Sequence, residues 1–228
     1  MKWIEIIFVA SLACAQIASA QADSLKAQTD SAKVQVLSFT DQEIEKIISE
    51  GMKLKGGESG LQMEDFSNAF LSGLSGGSGT GFKVTIYTPV TWIKKQASSA
   101  AKEYKGFSTS DVTGEMRKPV LRVIAYPNTP TSVTAKGMIG TSSVEHVVLR
   151  DSKKQIAIQP IHTESFDSEV ANAMGGKKAF RGIRAEFQLE DLKKIRSLDK
   201  KQEFFITVVG ESVEKNFKVK KDDSPFLE

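Results

Sequence analysis

Ser143-Val144-Glu145-His146-Val147-Val148-Leu149-Arg150 is followed by Asp151-Ser152-Lys153-Lys154 and then by Gln155-Ile156-Ala157-Ile158-Gln159-Pro160-Ile161. Two runs rich in β-branched residues flank four polar ones, which predicts a hairpin with a loop longer than the tightest type. Pairing Arg150 with Gln155 would set His146 opposite Gln159 and place His162 near Ser143, with the two imidazoles on opposite faces of the sheet. Similar signals surround this hairpin. Pro119 to Tyr126 (PVLRVIAY) and Phe82 to Tyr87 (FKVTIY) read as strands, Ala179 to Gln188 alternates imperfectly around Gly182, and Glu203 to Val209 with Val213 to Lys220 form a final hairpin about Gly210-Glu211-Ser212. Hairpin spacing favours antiparallel pairing, and no regular strand–helix alternation follows Ser108, which argues against a doubly wound parallel sheet. The expected fold is α+β: an antiparallel β-sandwich or partly open barrel of about eight strands, with two or three helices in the N-terminal half.

The helices announce themselves by their starts. Thr40-Asp41-Gln42-Glu43 fits a capping box, and Ile44, Ile47, Ile48 and Gly51 then share one face before Gly56-Gly57. Thr88-Pro89 supplies a capping hydroxyl and a proline at the first turn. It precedes a stripe of Trp92, Ile93, Gln96, Ala97, Ala100, Ala101 and Tyr104. Leu61 to Leu74 and Ser165 to Met174 read as further short helices, Leu189, Leu192 and Ile195 mark a brief one, and Val34 to Phe39 reads as a short strand.

The chain begins Met1-Lys2-Trp3 and continues through an apolar stretch to Ala18-Ser19-Ala20. Early positive charge, an apolar core too short to span a bilayer and a small-x-small end read as a secretory signal cleaved near Ala20. Ala13-Cys14 raises a second expectation, a lipid anchor at Cys14, although Ser11 stands where such a site prefers leucine. Residues 21–33 read as a flexible arm and 34–228 as one β-rich domain, with the Gly/Ser-rich stretch 72–81 as a connector.

Export narrows the chemistry. Cys14 is the only cysteine, so the cleaved protein holds no disulfide, thiolate metal site or cysteine nucleophile. The net charge of +3 is too mild for a dedicated nucleic-acid protein. Between Lys177 and Lys221 stand 13 Lys and Arg against 7 acids, a balance suited to an anionic polymer or envelope component as partner, or to the wet face of a sheet.

Motifs are sparse. Gly73-Leu74-Ser75-Gly76-Gly77 matches a nucleophile elbow, with Asp151 and His162 following in triad order, but the elbow must lead from strand to helix and here the order is inverted. Gly76 to Lys83 resembles a phosphate loop, yet Phe82 holds the lysine position and a strand follows. Ser197 to Lys200 and Ser212 to Lys215 fit a loose S-x-x-K without its partner motifs. His146 and His162 with Glu145 or Glu164 are the candidate mixed metal ligands, short of a third histidine. Asp111 and Glu115, four apart, could share a helical face as glycoside chemistry wants, but that chemistry is set by spatial separation, and a solvated polar loop after Gly106 is the preferred reading. No catalytic, cofactor or metal residue is assigned.

The function expected is non-catalytic: a secreted or periplasmic binding or envelope-structural protein. An extracytoplasmic hydrolase or carbohydrate-active enzyme using carboxylates is the alternative. A third class, a small-ligand carrier, would line an apolar pocket with Phe82, Tyr87, Trp92, Tyr104, Tyr126, Phe180, Phe187 and Phe205, residues that ordinary core packing also accounts for.

Overall fold

The computed structural model describes residues 37–64, 81–128, 143–171, 177–210 and 213–226, with backbone alone at 128, 168–171, 177–180 and 224–226. The chain is an α+β protein; among the described residues stand nine antiparallel strands in two sheets and three α-helices, and neither sheet closes into a barrel. β1 (Leu61–Glu64), β2 (Gly81–Tyr87), β3 (Val120–Asn128), β6 (His162–Ala171) and β7 (Lys177–Gln188) form one sheet in the order β1-β2-β3-β7-β6. β4 (Val144–Asp151), β5 (Ala157–Ile158), β8 (Phe204–Gly210) and β9 (Glu214–Val219) form the other, ordered β5-β4-β8-β9.

Alternation along the strands fills the space between the sheets. Phe82, Val84 and Ile86 of β2, Leu121, Val123 and Ala125 of β3, and Ile183, Ala185 and Phe187 of β7 meet Val147 and Leu149 of β4, Phe204, Ile206 and Val208 of β8, and Phe217 and Val219 of β9. Helix α3 (Leu189–Ser197) continues directly from β7 and adds Leu192 and Ile195 to that core. It is the brief helix expected at these residues, and it lies in the C-terminal half.

The other two helices build a separate small core. α1 (Asp41–Lys53) starts on the expected capping box: Thr40 Oγ1 accepts from the Glu43 amide at 3.3 Å and the Glu43 carboxylate accepts from the Thr40 amide at 2.8 Å. Its buried residues are the four expected, Ile44, Ile47, Ile48 and Gly51. α2 (Pro89–Lys102) starts on Thr88, whose amide donates to Thr91 Oγ1 at 2.8 Å. The two helices meet around Ile93, Ala97 and Val112. Ser98 ties the turn after α1 to α2, its Oγ accepting from the Gly56 amide and donating to the Gly57 carbonyl. Tyr104 departs from the expected stripe: it is 99 % exposed, beyond the last helical residue, with φ at 57°.

Several expected elements differ. Leu61–Glu64 is an edge strand rather than the start of a helix, because Leu61 and Met63 pack on the sandwich core while register holds Leu61 opposite Ile86. The rest of that expected helix, and residues 72–80 of the Gly/Ser connector, lie outside the described residues, as do positions 1–36 with the signal, the Cys14 anchor and the arm. Leu37 to Phe39 forms no strand; the Leu37 amide donates to the Arg117 carbonyl. Residues 165–171 belong to strand β6, not to a helix. The β4–β5 hairpin pairs Arg150 with Ala157, not Gln155, and only two residues of Gln155 to Ile161 are strand. Asp151 causes the shift. Its carboxylate accepts from the Ile156 amide at 2.7 Å and the Lys153 amide at 3.2 Å, which widens the loop.

Candidate functional site

The five-stranded sheet turns its second face away from the sandwich core, and register arranges that face in rows. One row runs Tyr87, Arg122, Glu186, His162 and the next Thr85, Ile124, Arg184, Glu164; beyond them Lys83 pairs with Tyr126 and Gly182 with Phe166. Few such positions are apolar, so this face presents charge and ring where the other presents core.

Trp92 organises it. It sits in the first turn of α2, which leaves the end of β2 immediately after Tyr87. Its ring meets Tyr87 edge-on, centroids 5.1 Å apart and planes 75° apart. Two guanidiniums lie against the same indole, Arg122 Cζ at 5.5 Å from the ring centroid and Arg184 Cζ at 5.4 Å. Arg122 is held further. Its Nε donates to Glu186 at 2.9 Å, its Nη2 donates to the Glu115 carbonyl at 2.6 Å, and its side chain is 2 % exposed. Arg122 Nη1 and Arg184 Nε have no hydrogen-bond acceptor among the described residues, and the indole supplies the negative potential both need. Arg184 differs in being 38 % exposed and in bonding outward, through Nη1, to Glu164 at 2.8 Å.

Glu58 completes the near end. Burial pushes its carboxyl up, but the Gly60 amide, the Tyr87 hydroxyl, the Ser59 amide and the Lys95 ammonium together bring it below the ordinary 4.5. Burial, with the Glu58 charge beside it, pushes the Tyr87 hydroxyl far up, so Tyr87 is a hydrogen-bond donor throughout the accessible range. A carboxylate lowered on folding stabilises the fold fully above its unfolded value, and that contribution is lost as pH falls through the lower folded value. Glu58→Gln is therefore expected to lower stability at neutral pH and to flatten the decline below pH 4.5, measured as melting temperature against pH. An unchanged acid limb would remove Glu58 from this role.

The candidates read from sequence are scattered. His146 lies exposed on the four-stranded sheet opposite Val209, and His162 lies exposed on the five-stranded sheet opposite Glu186. They occupy different sheets, not opposite faces of one. Among the described residues no three of His, Cys, Asp and Glu gather as metal ligands. Asp151 caps its own loop, and Ser197 Oγ donates to the Lys194 carbonyl. Asp111 accepts from the Ser108 amide in one 3₁₀ turn, while Glu115 pairs with Lys118 and Arg122 from the next. Gly73 to Gly77 and Ser212 lie outside the described residues. The C-terminal basic residues are spread over β7, α3 and β9, where Arg184, Lys194 and Lys218 pair with Glu164, Asp191 and Glu203.

The aromatic residues expected around one pocket also separate. Phe82 and Phe187 fill the inter-sheet core, Tyr87, Trp92 and Tyr126 belong to the outer face, and Phe205 lies under Lys154 Nζ at 4.9 Å. A concavity of about 270 Å³ opens between the edges of β1 and β9, lined by Met63, Glu64, Lys215, Asn216, Phe217 and Lys218. Of the Trp92 cluster, the sequence singles out only Tyr87 and Trp92, as pocket-lining or ordinary core aromatics. Its one available signal was that charged residues, Arg122, Arg184 and Glu186, recur at the outward positions of two strong strands.

The chain matches no family model, no curated protein and no solved structure. No helix of the described residues is long and apolar enough to cross a membrane.

Proposed function

We propose that the protein is exported and acts outside the cytoplasm by non-catalytic binding, with an acidic polysaccharide of the envelope as the class of partner and the outer face around Trp92 as the binding surface. The observation that carries this is the pairing of the indole with Arg184, a cation partly open to solvent, on a face whose other open positions are Lys83, Ile124, Tyr126, His162, Glu164 and Phe166. Half-buried rings suit the apolar faces of sugars, and a planar guanidinium suits a carboxylate, to which it can donate two parallel bonds. The alternative, hydrolysis by a pair of carboxylates, needs a proton donor whose carboxyl is raised. Every described carboxylate with a displaced ionisation is displaced downward, including Glu58, Glu115 and Asp151, and this supports binding over acid catalysis.

The test has two arms. The mass of the native product is expected to correspond to a chain beginning near Gln21; an intact Met1 on a cytosolic species overturns the export reading. Binding to polygalacturonate, followed by calorimetry, is expected to weaken about tenfold in Arg184→Ala, the loss of one charge-assisted pair. Neutral dextran is expected not to bind. Equal binding of both polymers, or no loss in the variant, overturns the assignment of the face.

A further inference from the structure

Among the described residues the two sheets expose four edges, and three are short or carry lysine. β1 is four residues long and β5 two, while β9 carries Lys215 and Lys218, the usual guard against edge-to-edge pairing. β6 is different. It runs ten residues without lysine, arginine, proline or glycine, and its register with β7 is unbroken from His162 opposite Glu186 to Ala171 opposite Lys177. Among the described residues nothing pairs with its other side, so alternate residues turn amide and carbonyl groups outward. The strand also overhangs the sandwich: Thr163, Ser165 and Asp167, on the core-side face, are exposed, because the core ends beneath β7.

We propose that β6 pairs antiparallel with β6 of a second copy of this chain, joining two five-stranded sheets into one of ten. The occupant follows from the strand's own pattern. A two-fold axis normal to the sheet keeps like faces together, so residues whose numbers sum to an even value meet. With Phe166 on the axis, Phe166 opposes the partner's Phe166, Glu164 opposes the partner's Ser168, Ser165 opposes the partner's Asp167, and Thr163 opposes the partner's Glu169. Asp167 then meets the hydroxyl of the partner's Ser165, and Phe166 meets itself. Centring on Ser165 sets Glu164 against phenylalanine, and centring on Asp167 sets that carboxylate against its own copy. Of these three registers, only the one centred on Phe166 sets no described carboxylate against phenylalanine or against its own copy. The contact is a strand edge, so the dimer is weak, with a Kd on the order of micromolar.

Sedimentation equilibrium of the purified protein over a dilution series tests this at one exposed position. Ser165→Asp places carboxylate against carboxylate twice per dimer and is expected to raise Kd about tenfold; Ser165→Lys places ammonium against carboxylate twice and is expected to lower it by a similar factor. Because Ser165 is exposed, both variants are expected to melt as the parent does at concentrations where it is monomeric, and either one alone reads the sign. A parent chain that stays monomeric across the series overturns the proposal. So does a response that is absent, or of the same sign, in the two variants.

Discussion

Removing either partner of the Arg122–Glu186 pair is expected to cost about 3–5 kcal/mol, because it leaves the other charge buried and uncompensated. Arg122 is 2 % and Glu186 6 % exposed, and they sit opposite one another on β3 and β7, 2.9 Å apart. The two single substitutions are not equivalent. Glu186→Gln keeps an acceptor for Arg122 Nε and leaves the guanidinium its bond to the Glu115 carbonyl and its contact with Trp92. Arg122→Met removes all of these and strands Glu186, so it belongs at the upper end of the range. A double variant, Arg122→Met with Glu186→Leu, is expected to be more stable than Arg122→Met alone, since apolar replacement of both partners removes the unpaired charge. Urea unfolding of the three variants decides it. With total stabilities of about 5–15 kcal/mol, the single changes threaten the fold itself. A double variant no more stable than Arg122→Met alone would show that the two side chains do not act as a pair.

Gly51→Val is expected to cost about 3 kcal/mol and to loosen the α1–α2 pair selectively. A Cβ at Gly51 would stand 2.6 Å from the Lys94 carbonyl oxygen, 2.8 Å from Lys94 Cα and 2.9 Å from Ala97 Cβ. Two of those three atoms are backbone in the middle of α2, and the third is a methyl with no rotamer to change. The helices must therefore separate, and overpacking of this kind falls near the top of the usual 1–3 kcal/mol. Alanine would gain about 1 kcal/mol of helix propensity and meet the same wall. Hydrogen exchange should show the amides of Asp41–Lys53 and Pro89–Lys102 opening while those of β3 and β7 stay protected, since the helical core and the sandwich core are separate clusters. Uniform loss of protection would mean that the two cores unfold as one.

Elements with a one-sided pattern were legible, and those without one were misread. β3 sends Leu121, Val123 and Ala125, and β8 sends Phe204, Ile206 and Val208, into the sandwich core at alternate positions, and both read as strands at once; α1 buries the four residues its period selects and starts on the cap its Thr40–Glu43 pair announces. β6 carries one large apolar residue in its first seven, because both of its faces are wet, and period-2 reasoning has nothing to detect there. β1 is four residues long and gets its conformation from β2, not from its own composition. The hairpin between β4 and β5 was visible, but its register was decided by a carboxylate capping the loop, a side-chain event invisible to hydrophobic alternation.

The candidate site shows the same division more sharply. Composition and pattern determined by themselves that this chain is β-rich and antiparallel, that two helices begin at Thr40 and Thr88, and that its apolar residues suffice for a core, because burial and capping act over a few neighbouring residues. Only the tertiary structure brought Trp92 of a helix against Arg122 of one strand and Arg184 of another, and sent His146 and His162 to different sheets. Strand order decides which distant side chains meet, and it is set by how two whole sheets and a helix pair bury area together, a sum over the chain that no local stretch contains.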